Sequence, residues 1–296
     1  MIGSNVSERA PDERLDIRRC LGFVTVNLIG IISFIVYAVI PIITGTGVPY
    51  AALAVMTFLY FERMFYITGF YHRYFSHRSY QVSRPWQFIF AILGMTALQK
   101  GPIWWASHHR HHHRHSDTEE DVHSCFLHGL WWSHIGWLVC KRYETTNEEA
   151  VRDLQKYPEL RFMEGKPWVY LPAILLAVAC YGFGWIFAKP LHTSANEMLF
   201  LGFFTSTFVL YHGTFSINSF AHLFGSVRYQ TGEKSKNNFF LALITLGEGW
   251  HNNHHHRQGQ VNQGETTFEK AFDWTLLRLK VMHVLRIVRL PRNTKL

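Results

Sequence analysis

Histidines cluster along this chain, and imidazole is a side chain that binds metal ions. The sequence holds 19 histidines among 296 residues. Six of them fall in the run HHRHHHRHS at 108–116. A His-rich run is also typical of a loose polar segment, so the spacing of the histidines within it and beyond it has to decide between the two interpretations.

The pattern HxxHH occurs twice, more than one hundred residues apart. Steps of three and four residues place side chains on one face of a helix, so each copy predicts three converging imidazoles. The six residues are His109, His112, His113, His251, His254 and His255. His108, His111 and His115 are not assigned to these two triplets and are expected to be solvated or to support the ligands from outside the site.

Two further pairs are candidates for the same site. His72 and His77 are five residues apart, a step that turns about 140° away on an α-helix. Their rings can converge only if the helix ends between them. Asn218 and His222 lie one helical turn apart in NSFAH, and a lone histidine there would ordinarily be a packing residue.

This number of imidazoles exceeds what one metal ion needs. A zinc ion takes four ligands, and a catalytic zinc takes three from the protein. The sequence contains no HExxH motif. Neutral imidazole suits zinc, copper, iron and nickel. The count therefore argues for two metals with four or five nitrogens each, and an open position at such a site fits iron that activates dioxygen.

The elements that must position these residues are predicted to lie in and on a membrane. Hydrophobic residues make up 48% of the chain and charged residues 17%, below the quarter that is typical of soluble domains. The net charge is +8. The basic residues flank long apolar stretches, which favours a membrane surface over nucleic acid as the partner.

Four apolar segments are long enough to cross a bilayer, which takes about 20 residues. They are 21–44, 51–71, 168–188 and 198–217. Two shorter segments, 86–98 and 239–247, are predicted to be re-entrant or interfacial helices. Glu62 and Arg63 fall inside the second span, where ionisable residues usually have a role, and the pattern does not say which.

The basic residues predict the orientation. Of the 29 Lys and Arg residues, 27 lie before the first span, between spans two and three, or after the fourth span. The positive-inside rule places both termini and the central loop in the cytoplasm. The tail at 268–290 reads as a basic amphipathic helix on the inner membrane face, or equally as a helix packed on the cytoplasmic region.

Four motifs carry a resemblance to a known family. HRYFSHRSYQ, HRHHHRHSDTEEDVHS, NSFAHLFG and GEGWHNNHH resemble the histidine boxes of the membrane-bound fatty acyl desaturases, in particular the stearoyl-CoA (Δ9) group. The resemblance covers about 58–257 and implies an all-α integral membrane fold. It implies one desaturase domain over 1–296, with four transmembrane helices under a cytoplasmic cap, built from 72–167 and 218–296, that holds a di-iron site.

The resemblance also implies the site residues. Asn218 would bind one iron through a water. The nine implied ligands are His72, His77, His109, His112, His113, His222, His251, His254 and His255. Ligand histidines usually donate their second N–H to a carboxylate, which makes Asp117, Asp121 and Glu248 candidates for that supporting role. Glu119 and Glu120 lie in the same acidic segment, for which a solvated turn is the competing interpretation.

The implied reaction uses two irons, dioxygen and two electrons to insert a cis double bond, Δ9 by resemblance, into a saturated acyl chain. The sequence has no cytochrome b5-like HPGG segment, so we expect a separate donor of cytochrome b5 or ferredoxin type. Ser107 and His108 stand where animal acyl-CoA desaturases have Arg-Asp, which leaves acyl-CoA and acyl-lipid substrates both open. The alternatives are a di-iron hydroxylase on the same scaffold and a non-catalytic metal transporter or sensor.

Overall fold

The computed structural model describes residues 13–292 and residue 294, and this part of the chain is mostly helical, with almost no sheet. Arg9 and Lys295, two of the basic residues counted above, lie outside the described residues. In chain order the helices are α1 (Ile17–Thr44), α2 (Tyr50–Ser76), α3 (Arg84–Met95), α4 (Pro102–His115), α5 (Cys125–His128), α6 (Leu130–His134), α7 (Arg152–Gln155), α8 (Pro158–Glu164), α9 (Trp168–Ile186), α10 (Ala195–Leu223), α11 (Phe239–Ile244), α12 (His251–His256), α13 (Thr267–Ala271) and α14 (Trp274–Val284). Two short strands, β1 (Gln81–Val82) and β2 (Val288–Arg289), pair antiparallel.

The prediction of an all-α fold with four membrane-length helices is confirmed. Helices α1, α2, α9 and α10 have 19 to 29 residues each and are apolar enough to cross a bilayer. Their outer faces expose large apolar side chains, such as Ile43 and Trp185, as expected of a surface that faces lipid rather than water. Helix α2 continues past the predicted end at residue 71 as far as Ser76.

Helix α10 packs against the other three long helices. Its contact with α1 is close at Gly30, where a Cβ atom would come within 2.6 Å of Phe208 Cβ. The Thr205 hydroxyl donates to the Gly30 carbonyl across the same contact, at 2.9 Å. Small residues allow membrane helices to approach in this way.

The two ionisable residues inside α2 have partners from other helices. Arg63 is buried and donates to the Thr207 hydroxyl at 2.7 Å. Glu62 accepts two hydrogen bonds from Arg278 of α14, at 2.5 and 2.7 Å. Both residues therefore join helices, a common solution for charge within a span.

The tail differs from the single amphipathic helix expected at 268–290. The structure has α13 and α14 there, separated at Asp273, followed by β2. Asp273 is fully buried, caps α14 by accepting from the Leu276 amide, and pairs with Arg73 of α2. The helix is interrupted at Asp273 because its side chain caps the start of α14 and pairs with Arg73.

Candidate metal centre

The first histidine pair converges because the end of α2 is wound as a π-helix. Residues Tyr66–Ser76 adopt this winding, and the His77 amide donates to the His72 carbonyl five residues back, at 3.2 Å. The five-residue winding brings His72 and His77 to one side, with ring centroids 4.8 Å apart. The helix ends at Ser76, between the two residues, as their convergence required. π-Helical turns of this kind are frequent at functional sites.

Five imidazoles from three segments meet at this point and form what we call the five-histidine cluster. Their Nε2 atoms follow one another around a closed ring at separations of 2.8 to 3.1 Å. All five ligand atoms lie within 4.8 Å of one another. The members are His72, His77, His109, His113 and His254.

The spacing of the five-histidine cluster suits a metal ion. With metal–nitrogen bonds of about 2.1 Å, two ligands at a right angle lie about 3.0 Å apart. Burial lowers the pKa of His77, His109, His113 and His254 well below the usual range, and the neighbouring imidazoles lower it further. These rings are therefore neutral at physiological pH, the form in which imidazole binds metals.

A second group, the four-histidine cluster, consists of His112, His222, His251 and His255, all buried. His222 Nε2 and His251 Nε2 are 3.2 Å apart. Among the described residues, the buried His255 Nε2 has no hydrogen-bond partner. A buried lone pair without a partner is costly, and a metal ion bound to the cluster would satisfy it.

The two clusters are in direct contact. The rings of His113 and His255, one from each cluster, have centroids 4.4 Å apart. Helices α4 and α12 each contribute histidines to both clusters, which is the consequence of the HxxHH spacing. The nine histidines can hold two metal ions side by side. Every ligand atom in these two clusters is an imidazole nitrogen.

The three predicted carboxylates each contact one of these histidines at Nδ1. Asp117 lies 2.9 Å from His222 and Asp121 lies 3.1 Å from His112. Glu248 pairs with His72. Such contacts fix the ring orientation and leave Nε2 free for a metal.

Burial would raise the pKa of each carboxyl group, but the positive partners outweigh it. Hydrogen bonding and charge from His222 hold the pKa of Asp117 at about 2. The charges of His72 and Arg73 hold the pKa of Glu248 at about 2. The carboxylates are therefore ionised at neutral pH and keep the Nδ1 protons of their histidines in place.

Three further residues support the clusters and were not predicted. Glu233 lies 3.6 Å from His255 Nδ1. His123 stacks near His112 with centroids 4.3 Å apart, beside Asp121. Gln263 donates to Glu248 at 2.7 Å. Only His123, which follows Asp121 by two residues, had a sequence signal that could have identified it.

The three remaining histidines of the run at 108–116 lie outside both clusters. His111 Nε2 contacts the Glu120 carbonyl at 2.8 Å, and His115 pairs with the exposed Glu120 carboxylate. His108 Nε2 contacts the Thr145 carbonyl at 3.1 Å. Glu119, like Glu120, is exposed.

Arg110 joins α4 to the end of α2, two of the three segments that supply the five-histidine cluster. It donates to the Phe75 and Ser76 carbonyls at the end of α2, both at 2.8 Å, and to Asp153 at 2.6 Å. Burial would raise the pKa of Asp153, but Arg110 and Arg78 hold it at about 2, so this ion pair persists at neutral pH.

We therefore predict that Arg110→Lys lowers metal affinity by about tenfold, the low end of the losses seen when groups that orient metal ligands are changed. A lysine cannot make this forked set of contacts. The measurement is an iron titration of the purified protein. Arg114→Lys, at an exposed position of the same helix, is the control; equal affinities for the two variants would contradict the prediction.

A cavity of about 680 Å³ leads to the five-histidine cluster. Its walls include apolar side chains of α1 and α10, among them Phe23, Val26 and Phe215, and at one end it reaches His109. Asn218 also lines the cavity, so it faces the space beside the histidines; its binding of a metal through water stays a prediction. The volume is typical of small-molecule sites, about 300–1,000 Å³.

The fold and the site together define a class: helical membrane proteins with a buried, histidine-rich centre for two metal ions. The chain belongs to the fatty acid desaturase family, whose match extends over residues 45–260. This range includes every histidine of both clusters.

Three relatives illustrate the range within the family. The chain is 34% identical to a probable chloroplastic lipid desaturase of Arabidopsis thaliana, over 83% of this chain and 65% of the relative. It is 36% identical to an acyl-CoA 5-desaturase of Anemone leveillei, over 71% and 62%. It is 33% identical to an sn-1 stearoyl-lipid 9-desaturase of Anabaena variabilis, over 78% of each. The chain thus spans less than two thirds of the length of the first two relatives.

Proposed function

We propose that this protein is a fatty acyl desaturase that inserts a cis double bond, at position Δ9, into a saturated acyl chain in an O2-dependent reaction. One observation supports this above all: a cavity with apolar walls from α1 and α10 reaches His109 of the five-histidine cluster, which is in contact with the four-histidine cluster. An acyl chain in that cavity has its methylenes beside the metal centre. The family membership and the stearoyl-lipid 9-desaturase relative support the reaction and its position.

In this proposal two irons are the resident cofactor, one held by each cluster. The bound irons would supply the reduction of dioxygen and the oxidising power that a C–H bond requires. The ligands are the nine histidines of the two clusters, with Asn218 contributing through a water. The carboxylates Asp117, Asp121 and Glu248 hold the Nδ1 protons of their ligand histidines.

The protein itself contributes position and exclusion of water. Trp105 stacks on His109 with centroids 4.9 Å apart, and both line the cavity. Gln99 donates to Thr214 at 3.0 Å, which links the α3–α4 connection to α10 across the cavity wall. A chain held between these walls presents a fixed pair of methylenes, so geometry rather than acid–base strength selects the carbon atoms.

We further propose that 1–296 is a single desaturase domain and that both termini and the metal centre face the cytoplasm. The electrons come from a separate protein of cytochrome b5 or ferredoxin type. The acyl chain is carried as acyl-CoA or acyl-lipid, since relatives are named for both carriers. The excess of basic residues on the proposed inner side would suit an acidic donor.

The test is expression in a host that lacks its own desaturase, followed by gas chromatography of the total fatty acids. We expect Δ9 monounsaturated chains that the empty-vector control does not make. A hydroxy acid as the main product would favour a di-iron hydroxylase on the same scaffold. Unchanged lipids in cells that accumulate the iron-loaded protein would contradict the proposal and favour a metal transporter or sensor.

A further inference from the structure

A second, apolar space lies beside the cavity of about 680 Å³ that reaches His109, which we call the catalytic cavity. It has a volume of about 430 Å³ and runs along α9 and the π-helical part of α10. Ala173, Ala177 and Tyr181, on successive turns of α9, form one wall, and Leu199 and Phe203 of α10 form the other. We call this space the α9–α10 groove. Because its walls belong to two membrane-length helices, it opens toward lipid.

Leu98 lines both the groove and the catalytic cavity. Its backbone is in the left-handed region, with φ of 56°, an uncommon conformation for a non-glycine residue. The Tyr211 hydroxyl donates to the Leu98 carbonyl at 3.1 Å. The two spaces therefore adjoin at Leu98, whose backbone is held in place by α10.

The two spaces also begin near each other on α9. Lys166 and Tyr170 line the catalytic cavity, and Ala173 of the groove follows Tyr170 by three residues. At 1.5 Å per residue this is about 4.5 Å along the helix axis. A molecule with two apolar chains joined at one end can place one chain in each space.

The shared end carries positive charge. The cavity lining there has four cations, Arg18, Arg19, Lys100 and Lys166, against two carboxylates, Asp16 and Glu144. Glu144 already pairs with Arg19 and Lys166. Lys100 Nζ lies over the Trp104 ring at 3.9 Å and donates to the Glu144 carbonyl. An anionic group at this end would have unneutralised cations to bind.

We propose that the substrate is a membrane phospholipid. One acyl chain occupies the catalytic cavity, the second acyl chain occupies the α9–α10 groove, and the phosphate lies among the four cations. This inference rests on the proposed function and specifies the molecule that carries the acyl chain. An acyl-CoA thioester has a phosphate but only one acyl chain, so it would leave the groove without a role.

The first test is a pulse of labelled stearate, followed by a chase, in the desaturase-lacking host that expresses the full chain. The labelled double bond should appear first in intact phospholipid, after saturated label has entered that pool. Unsaturated label that appears first in acyl-CoA would overturn the inference and leave the desaturase function standing. Absence of unsaturated label from every pool would contradict the proposed function instead.

The second test measures binding and does not depend on turnover. Ala177→Phe would fill the groove, and Ala179→Phe, at an exposed position of α9 outside the groove, is its matched control. In native mass spectrometry of the purified protein with added distearoyl phosphatidylglycerol, we expect Ala177→Phe to weaken binding by about tenfold, the effect of excluding a few methylenes. Equal binding by the two variants would overturn the inference even if the enzyme is active.

Discussion

His112→Ala is expected to abolish the formation of unsaturated fatty acids, whereas His111→Ala is expected to spare most of it. His112 is buried in the four-histidine cluster, and its Nδ1 is held by Asp121 at 3.1 Å. His111, the adjacent residue, contacts the Glu120 carbonyl outside both clusters. The two substitutions remove the same side chain from neighbouring positions, so only the position distinguishes them.

The expected loss for His112→Ala exceeds about 100-fold, because changes that merely disturb the orientation of a ligand already cost 10–100-fold. Gas chromatography of cells expressing each variant measures it, with protein amounts matched by immunoblot. Iron content of the purified variants gives a second reading, in which His112→Ala should lose iron and His111→Ala should keep it. Equal loss in both variants would mean that the ligand assignment is wrong.

Glu248→Gln is expected to lower iron affinity or activity by about 10–100-fold. Glu248 is buried, pairs with His72 and accepts hydrogen bonds from Arg73 and Gln263. Glutamine has nearly the same shape but no charge, and its amide can turn N–H groups toward these donors. His72 would then lose the contact that keeps its Nε2 directed at the five-histidine cluster.

Glu265→Gln is the control for this prediction, since Glu265 pairs with Arg257 in an exposed contact. The measurement is iron retention after dialysis against a chelator, together with product formation. If Glu248→Gln retained iron as well as Glu265→Gln does, the carboxylate would have no part in holding His72. Circular dichroism of both variants checks that helical content is unchanged.

Much of the site was predictable because it depends on local periodicity. The HxxHH spacing places histidines on one helical face, and the structure brings each such group to the two clusters. The four spans were predictable because length and apolarity are sufficient criteria for them. The Asp and Glu partners could be proposed because they follow or precede the histidines within a few residues.

Other features depend on contacts between distant segments and carry no local signal. The π-helical winding that brings His72 to His77 is one example. Glu233 reaches His255 from the segment that connects α10 to α11, 22 residues earlier. The break of the tail at Asp273 depends on Arg73, two hundred residues earlier. The catalytic cavity likewise takes its walls from α1, the α3–α4 connection and α10, which are far apart in the sequence.

The central claim is that two irons sit side by side, one in each histidine cluster, and elemental analysis of the purified, active protein tests it most directly. We predict two iron atoms per chain, with removal of iron by a chelator abolishing desaturation and readdition of ferrous iron restoring it. Active protein that contains no iron, or only one metal ion per chain, would contradict the account.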